Sequence, residues 1–565
     1  MCPYIVTFAA DMKKLLFCLL LLGAMPVGAQ EDKDHNLNVA KNLDVMNVIY
    51  KYLDMMYVDT LDANEVVGNA IRSMLKSLDP YTVYYSESDV NELRTMITGK
   101  YVGVGMLIRW NFQLRNAVVD EPYENTPSAE AGLKKGDVIV SIDGEPMKGK
   151  DTKYVSERLR GDAGSTFELV VRRPSTGKQM KFKITRRSIY QTPAVPYYGI
   201  QEGGIGYINL SGFVENSAKA VRRAYVEMRR KGIRGLIVDL RNNGGGSEQE
   251  AADIVNMFVP KGRLVVSNRG KLKRANHDYI TGMEPIDTVM PLVVLVNGNT
   301  ASASEIMSGA LQDFDRGVIL GTRTYGKGIA QMTLDLPYNG QLKLTTNKWY
   351  TPSGRCIQAI TYKHARGGST VQKSDSTAKV FFTAHGREFK DVGGIVPDIE
   401  VKADSLPNIA YYLAAAVDSN EVLHNYEVDY IARHPTIAPA GEFSLSDTDY
   451  EEFKQRVMAS GFKYDRESEK YLENLKELAK FEGYYDEARS EFEALENKLK
   501  HNVAKDLDYN KRVIKHMIEN DIVAAYYYQK GSIENSLRDD KQVAEALKLL
   551  NDEAKYREIL RPKKK

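Results

Sequence analysis

Three short segments carry residue types that could do chemistry. The first is Val296-Asn297-Gly298-Asn299-Thr300-Ala301-Ser302-Ala303-Ser304-Glu305-Ile306. An apolar run enters a glycine turn, then small residues, then a helical pattern. Such a junction sets a side chain at the carboxyl end of a buried strand, where open α/β sheets build their sites. The helix start offers unpaired N–H groups and partial positive charge, so the Ala303 amide could hold a developing oxyanion. On its own, a Ser/Ala-rich helix start is more often a cap than a nucleophile.

The second segment is Gly321-Thr322-Arg323-Thr324-Tyr325-Gly326-Lys327-Gly328-Ile329-Ala330-Gln331. It nearly matches the phosphate-binding pattern of glycine, four residues, glycine, lysine and Ser or Thr. Gly328 stands where the magnesium-binding hydroxyl must be, which argues against a nucleotide site. The other chemistry open to a glycine-flanked lysine is proton abstraction. A free lysine has a pKa of about 10.4 and is almost wholly charged at pH 7. Burial disfavours the charged form, and a desolvated amine can take a serine's proton. Gln331 lies four residues on, close to one helical turn and also an even spacing, so it shares the face of Lys327 in either regular structure and could orient the amine.

The third segment is Ile237-Val238-Asp239-Leu240-Arg241-Asn242-Asn243-Gly244-Gly245-Gly246, a buried strand ending in a glycine-rich loop. Glycines let a backbone approach a ligand, so Gly245 or its neighbour is a candidate second oxyanion donor. A tight strand-to-helix connection explains the same residues, and both can hold. Histidine is the commonest alternative base. The eight histidines, His35, His277, His364, His385, His424, His434, His501 and His516, all lie outside these segments. No Gly-x-Ser-x-Gly, His-Glu-x-x-His or Cys-x-x-Cys occurs.

The elements that must position these segments follow from periodicity. Residues about 36–98 read as helical, broken at Leu78-Asp79-Pro80-Tyr81-Thr82. Residues about 99–187 read as a β-rich unit, with strands at Val138–Ile142 and Phe167–Arg172 and a short glycine-closed helix at Ala129–Leu133. In residues about 188–404, apolar strands (Ile205–Leu210, Gly235–Leu240, Leu292–Val296, Val318–Gly321) alternate with amphipathic helices (about 218–231, 248–258 and 303–314). That alternation predicts a mainly parallel sheet with flanking helices. Residues about 405–565 are helical and rich in tyrosine. Tyr526-Tyr527-Tyr528 reads as packing, and the extension either packs on the core or mediates assembly. The fold class is therefore a multidomain α/β protein.

Lys+Arg is 77 against Asp+Glu 75, a net charge of +2 that gives no reason to expect nucleic acid. Hydrophobic content of 43% and charged content of 27% fit soluble globular domains. Met12-Lys13-Lys14, the apolar run from Leu15 to Gly23 and Val27-Gly28-Ala29 form a secretory signal pattern, with Met12 as the true start and cleavage after Ala29. The run is too short to span a bilayer. Of Cys2, Cys18 and Cys356, only Cys356 remains after cleavage, so no intramolecular disulfide forms.

Taken together the segments resemble the C-terminal processing, or tail-specific, proteases over about residues 40–404. The marks are Leu-Asp-Pro-Tyr at 78–81, Asp-Leu-Arg-Asn-Asn at 239–243, Ser-Ala-Ser-Glu at 302–305, Gly-Lys-Gly at 326–328 and Gly-Gly-Ile-Val-Pro-Asp at 393–398. The resemblance implies a Ser302–Lys327 dyad, 25 residues apart, assisted by Gln331, with Ala303 and Gly245 at the oxyanion and Glu305 and Asp313 in support. Ser304 and Ser308 would point elsewhere on the new helix. Gly244 departs from the proline or serine common before the glycine pair, which leaves the oxyanion glycine open by one position. The β-rich unit resembles a PDZ domain whose loop Val102-Gly103-Val104-Gly105-Met106 would bind a C-terminal carboxylate, with Gly103, Val104, Gly105 and Met106 as its contacts. The implied organisation is a leader (1–29), a helical region (30–98), a PDZ domain (99–187), a serine protease core (188–404) and a helical extension (405–565). The implied activity is an exported, periplasmic serine endopeptidase that acts on unfolded or precursor proteins with exposed C-termini; a peripheral membrane position is left open. No cofactor or metal is expected, and self-association is left open. A catalytically silent PDZ-bearing scaffold or chaperone is the alternative; loss of the serine or lysine would favour it, and both are present.

Overall fold

A computed structural model describes residues 33–362, 370–372, 378–499 and 502–561. The expected leader with Cys2 and Cys18, His364, His501 and the basic end at Lys563–Lys565 lie outside the described residues. Helices Lys33–Met56 and Ala63–Lys76 fall in a unit of their own, residues 1–77; residues 78–565 form the second unit.

The strand Leu292–Val296 is five consecutive apolar residues, all buried. A strand covered on both faces belongs in the middle of a sheet flanked by helices. It is the fourth strand of a six-stranded sheet ordered Tyr197–Gln201, Ile205–Asn209, Gly235–Asp239, Leu292–Val296, Val318–Gly321 and Ile399–Glu400. The first pair is antiparallel and the others are parallel. Helices Ser217–Arg230, Glu248–Asn256 and Ala303–Asp313 cover one face, packing Val221, Ile254, Val255, Ile306 and Ala310 against Ile208, Val238, Val294 and Ile319.

The opposite face is covered by the end of the chain. Helices Lys541–Asn551 and Glu553–Ile559 lay Val543, Ala546, Leu549, Leu550 and Tyr556 on Ile205, Tyr207, Ile237, Val293 and Leu295. The Tyr556 hydroxyl accepts from the Leu292 N–H at 2.9 Å and donates to the Leu292 carbonyl at 3.1 Å. Arg241 pairs with Asp540 at 2.7 Å. The extension thus completes the core. Upstream, Tyr426, Tyr450, Phe453 and Ile518 centre its own helical cluster. Within the tyrosine triplet, Tyr526 donates to the His434 carbonyl and Tyr527 to the Ile437 carbonyl, as packing requires.

The expectation of a mainly parallel core omitted a second layer. Strands Val83–Tyr85, Gln341–Tyr350, Leu264–Gly270 and His277–Ile280 form an antiparallel sheet, and Ile329–Asp335 pairs along the other side of Gln341–Tyr350. The helical pattern of residues 36–98 breaks at Leu78–Thr82 as expected; the structure adds a strand, Val83–Tyr85, just after that break, because the turn at Asp79-Pro80 redirects the chain into this sheet. Asp79 accepts from the Tyr81 and Thr82 N–H groups, both at 2.8 Å.

The β-rich unit is a sheet of Met106–Asn111, Asn116–Pro122, Val138–Ile142, Thr166–Arg172 and Gln179–Thr185 with helix Thr152–Leu159 and its own core around Val119, Ile139, Val155 and Leu169. Lys100–Gly103 and Arg187–Tyr190 pair as the chain enters and leaves it. It is joined to the extension through Arg109–Glu421 at 2.7 Å and Lys135–Glu427 at 3.3 Å. Among the described residues no helix is long and apolar enough to cross a membrane.

Candidate active site

Ser302 ends the loop after Leu292–Val296 and begins helix Ala303–Asp313, with φ +58° and ψ −117°. A non-glycine residue there is strained by about 1–3 kcal/mol and persists only when its surroundings over-determine it. Those surroundings are visible. The Ala301 N–H donates to the Asn243 carbonyl at 3.0 Å, and the Thr300 hydroxyl to the Leu240 carbonyl at 2.9 Å. Gly245, at φ +99°, lies so close that a Cβ would stand 2.6 Å from the Ala301 carbonyl and 2.8 Å from both the Ala303 nitrogen and the Ser302 Cβ. Only glycine fits.

Glu305 ties the serine segment to the lysine segment. Its carboxylate is fully buried and accepts four hydrogen bonds: from the Ser302 N–H (2.8 Å), the Lys327 N–H (2.9 Å), the Gly326 N–H (2.7 Å) and the Thr324 hydroxyl (2.6 Å). Thr324 in turn accepts from the Ile395 N–H at 2.6 Å. Burial raises the Glu305 pKa, and these hydrogen bonds oppose the rise. The helix's first turn and the Gly326-Lys327 turn are therefore held in one register by a single side chain.

The Lys327 amine lies over the Tyr81 ring, 4.4 Å from its centroid, while Trp349 donates to the Lys327 carbonyl at 3.1 Å. Among the described residues no carboxylate stands within ion-pair distance of the amine. Burial brings its pKa down to about 8, helped by the like charge of Lys343 and opposed by Glu305, Asp79 and Glu248. Gly328 is required by packing, since a Cβ would lie 2.6 Å from the Gln358 nitrogen.

Ser302, Lys327, Gln331, Gly245 and Gly246 line one cleft of about 720 Å³. Gln331 reaches it by a different geometry from the even-spacing argument. Lys327 precedes strand Ile329–Asp335, a bulge lies between Ala330 and Gln331, and the Gln331 amide donates to the Thr345 hydroxyl at 3.2 Å. Ser304 and Ser308 are buried and donate to the carbonyls of Asn243 and Ser304, respectively. Asp313 forms a buried pair with Arg355 at 2.5 Å and accepts from the Ser353 N–H, holding the 351–355 turn rather than facing the cleft. The Gly245 N–H already donates to Asn243 Oδ1 at 2.9 Å. The N–H groups of Ala303, Gly244 and Gly246 have no acceptor among the described residues.

Several residues of the site were not singled out from sequence. His277 lines it, its ring edge-on to Tyr279 at 4.5 Å, placed there by the pairing of Leu264–Gly270 with His277–Ile280. Thr324 and Tyr81 lie within quoted motifs, and the Asp-Pro turn was the one signal that something fixed Tyr81. In the β-rich unit, Gly103, Val104 and Met106 line a groove of about 300 Å³ beside Leu159 and Arg160. Gly105 is not on its wall; its φ is +78° and a Cβ would lie 2.4 Å from Thr126, so it shapes the loop.

A helix-flanked sheet whose cleft joins a serine to an unpaired, partly desolvated lysine, with a peptide-groove unit inserted ahead of it, defines the class as a PDZ-bearing peptidase. Residues 204–364 match "Peptidase family S41", residues 118–173 the "PDZ domain" and residues 411–550 the "Probable PDZ-protease, C-terminal helical domain". The chain is 34% identical over 356 residues to the "Carboxy-terminal-processing protease" of Bartonella bacilliformis, covering 62% of this chain and 81% of the relative. It is 31% identical over 338 residues to the "Carboxy-terminal processing protease CtpB" of Bacillus subtilis, covering 59% and 68%. It is 34% identical over 317 residues to the "C-terminal processing peptidase, chloroplastic" of Tetradesmus obliquus, covering 54% and 68%. The chain belongs to the C-terminal processing proteases, serine peptidases of family S41.

Proposed function

We propose that the protein is an exported endopeptidase that takes hold of substrate C-termini and cuts by a Ser302–Lys327 dyad. The observation that carries this reading is the unpaired Lys327 amine, sharing one cleft with Ser302 and held in register with it by Glu305. With a pKa of about 8, roughly one amine in ten is neutral at pH 7. Neutral Lys327 takes the Ser302 hydroxyl proton as the oxygen attacks a peptide carbonyl. The N–H of Ala303 and a donor of the 244–246 loop hold the oxyanion; Gly245 takes part once its N–H leaves Asn243, and Gly244 and Gly246 are the neighbouring donors. The Lys327 ammonium returns the proton to the leaving amine, which departs and leaves an acyl ester on Ser302. Lys327 then takes a proton from water, the hydroxide attacks the ester, and the proton returns to Ser302 as the acid product leaves. Gln331 orients the amine, and Asp313 supports the turn at 351–355.

In this reading residues 99–187 are a PDZ domain whose Gly103–Met106 loop receives the substrate's terminal carboxylate, 188–404 the protease core and 405–565 the extension that closes it. Residues 1–29 act as the leader that delivers the enzyme to the periplasm.

The test is cleavage of an unfolded reporter with an apolar C-terminus by the wild type, Ser302→Ala and Lys327→Ala, with circular dichroism to check folding. Wild-type cleavage lost in both folded variants supports the dyad. Undiminished cleavage by Ser302→Ala overturns it. Amidating the reporter's tail tests the PDZ assignment, and cell fractionation tests export.

A further inference from the structure

The cleft continues past Lys327 along strand Ile329–Asp335. Ile329, Gln331, Met332 and Thr333 line it on that side, and Leu93, Met96 and Ile97 of helix Val90–Thr98 line it on the other. The strand's outer edge has no partner strand among the described residues, so an extended peptide can lie against it. Lys343 lines the same cleft and stands opposite Thr333 in the sheet. Its ammonium lies 3.3 Å from the Met96 sulfur, which is a weak acceptor. Among the described residues no carboxylate comes within ion-pair distance of it, although the side chain is only partly exposed. The contact is open to solvent, so the half-shielded ammonium, without an anionic partner among the described residues, is within reach of one on a ligand.

The rest of the cleft does not supply the partner. Glu248 is the one carboxylate among the cleft's described lining residues. It sits beside the glycine loop, and its carboxylate accepts from Asn268 Nδ2 at 2.6 Å. The Lys343 end is therefore apolar and positively charged, with a second ammonium at Lys327 adding to the field.

We infer that Lys343 is a subsite for a substrate carboxylate, seated a few residues along the peptide from the cut bond, with Met96 and Ile97 taking the adjoining apolar side chain. The inference rests on the reading of the Ser302 cleft as peptide-cutting. It adds a carboxylate contact inside the cleft, separate from the groove at Gly103–Met106. The carboxylate has two sources, a free C-terminus or an Asp or Glu side chain.

The test uses short fluorescent peptides ending in apolar residues, in three forms: free acid, amide, and amide with a final Asp. Binding is read by anisotropy on Ser302→Ala, with and without Lys343→Gln or Lys343→Arg. The acid-to-amide affinity ratio is expected to fall about tenfold with Lys343→Gln and to survive Lys343→Arg. The PDZ groove is common to all variants, so it appears as a second site of the same affinity in every titration, and the ratio is taken at the other site. If the Asp-amide binds like the free acid, the subsite reads side chains as well; if it binds like the plain amide, the subsite reads the C-terminus. A ratio unchanged by Lys343→Gln overturns the inference. In cleavage, Lys343→Gln should lower kcat/KM about tenfold for carboxylate-bearing peptides only. If the wild type binds with this signature yet never cuts, the dyad reading fails and the subsite stands.

Discussion

Lys327→Met should stabilise the protease core while abolishing cleavage. In the folded chain the amine's pKa is about 8 rather than 10.5, chiefly because the charged form is desolvated. Each unit is worth about 1.4 kcal/mol, so holding the ammonium costs the fold about 3 kcal/mol at neutral pH. The contact with Tyr81 returns about 0.5–1 kcal/mol of this. A methionine of similar length, sulfur over the same ring, should therefore gain about 2 kcal/mol. The folded pKa lies below the unfolded one, so the penalty is full below pH 8 and disappears as pH rises towards 10.5. Urea denaturation at pH 7 and pH 10, followed by tryptophan fluorescence (Trp349 is buried against the Lys327 carbonyl), reads both quantities. A variant less stable than the wild type at pH 7, or a difference that ignores pH, would refute the claim that Lys327 is held against its preference for charge.

Glu305→Gln puts an amide where four donors converge, leaving at least one buried donor unpaired at about 1–3 kcal/mol. Cleavage should fall by about 100-fold with the fold retained, read by single-turnover rates, since the serine and lysine segments lose their common register. For the wild type, kcat/KM should rise with pH through about 8 as Lys327 loses its proton, and His277→Ala should leave that limb unchanged; a limb that vanishes in His277→Ala would make histidine the base. Deleting residues 537–561 strips Leu537, Val543, Leu549, Leu550 and Tyr556 from the sheet. At about 1.5–3 kcal/mol each this matches a whole domain's stability, so the truncated chain should lack a cooperative thermal transition in calorimetry.

The parallel sheet and the three chemistry-bearing segments were legible because their signals are local. Leu292–Val296 and Val318–Gly321 occupy the stretches that periodicity gave, and each segment sits at a strand end. What joins them was not legible as geometry. Glu305 was marked only through resemblance, and nothing local distinguishes its partner Thr324, 19 residues on, within a glycine-rich run. The antiparallel layer was missed because Leu264–Gly270 and His277–Ile280 are half-polar strands with weak alternation, and with it went the placement of His277. The helix Lys541–Asn551 showed its apolar stripe in sequence, but a stripe does not say what it covers. The sheet's second face, bare without it, answers that. The Ala330–Gln331 bulge is a local departure that no spacing rule anticipates.

Cleavage by the Ser302–Lys327 dyad requires that Ser302 become acylated. A peptide ester substrate, mixed with the enzyme and quenched in acid within the first turnover, leaves any acyl-enzyme intact for peptide mapping by mass spectrometry. An adduct is expected on the peptide bearing Ser302, absent in Ser302→Ala and in Lys327→Ala. An adduct on another residue, or turnover with no adduct at any quench time, would contradict it.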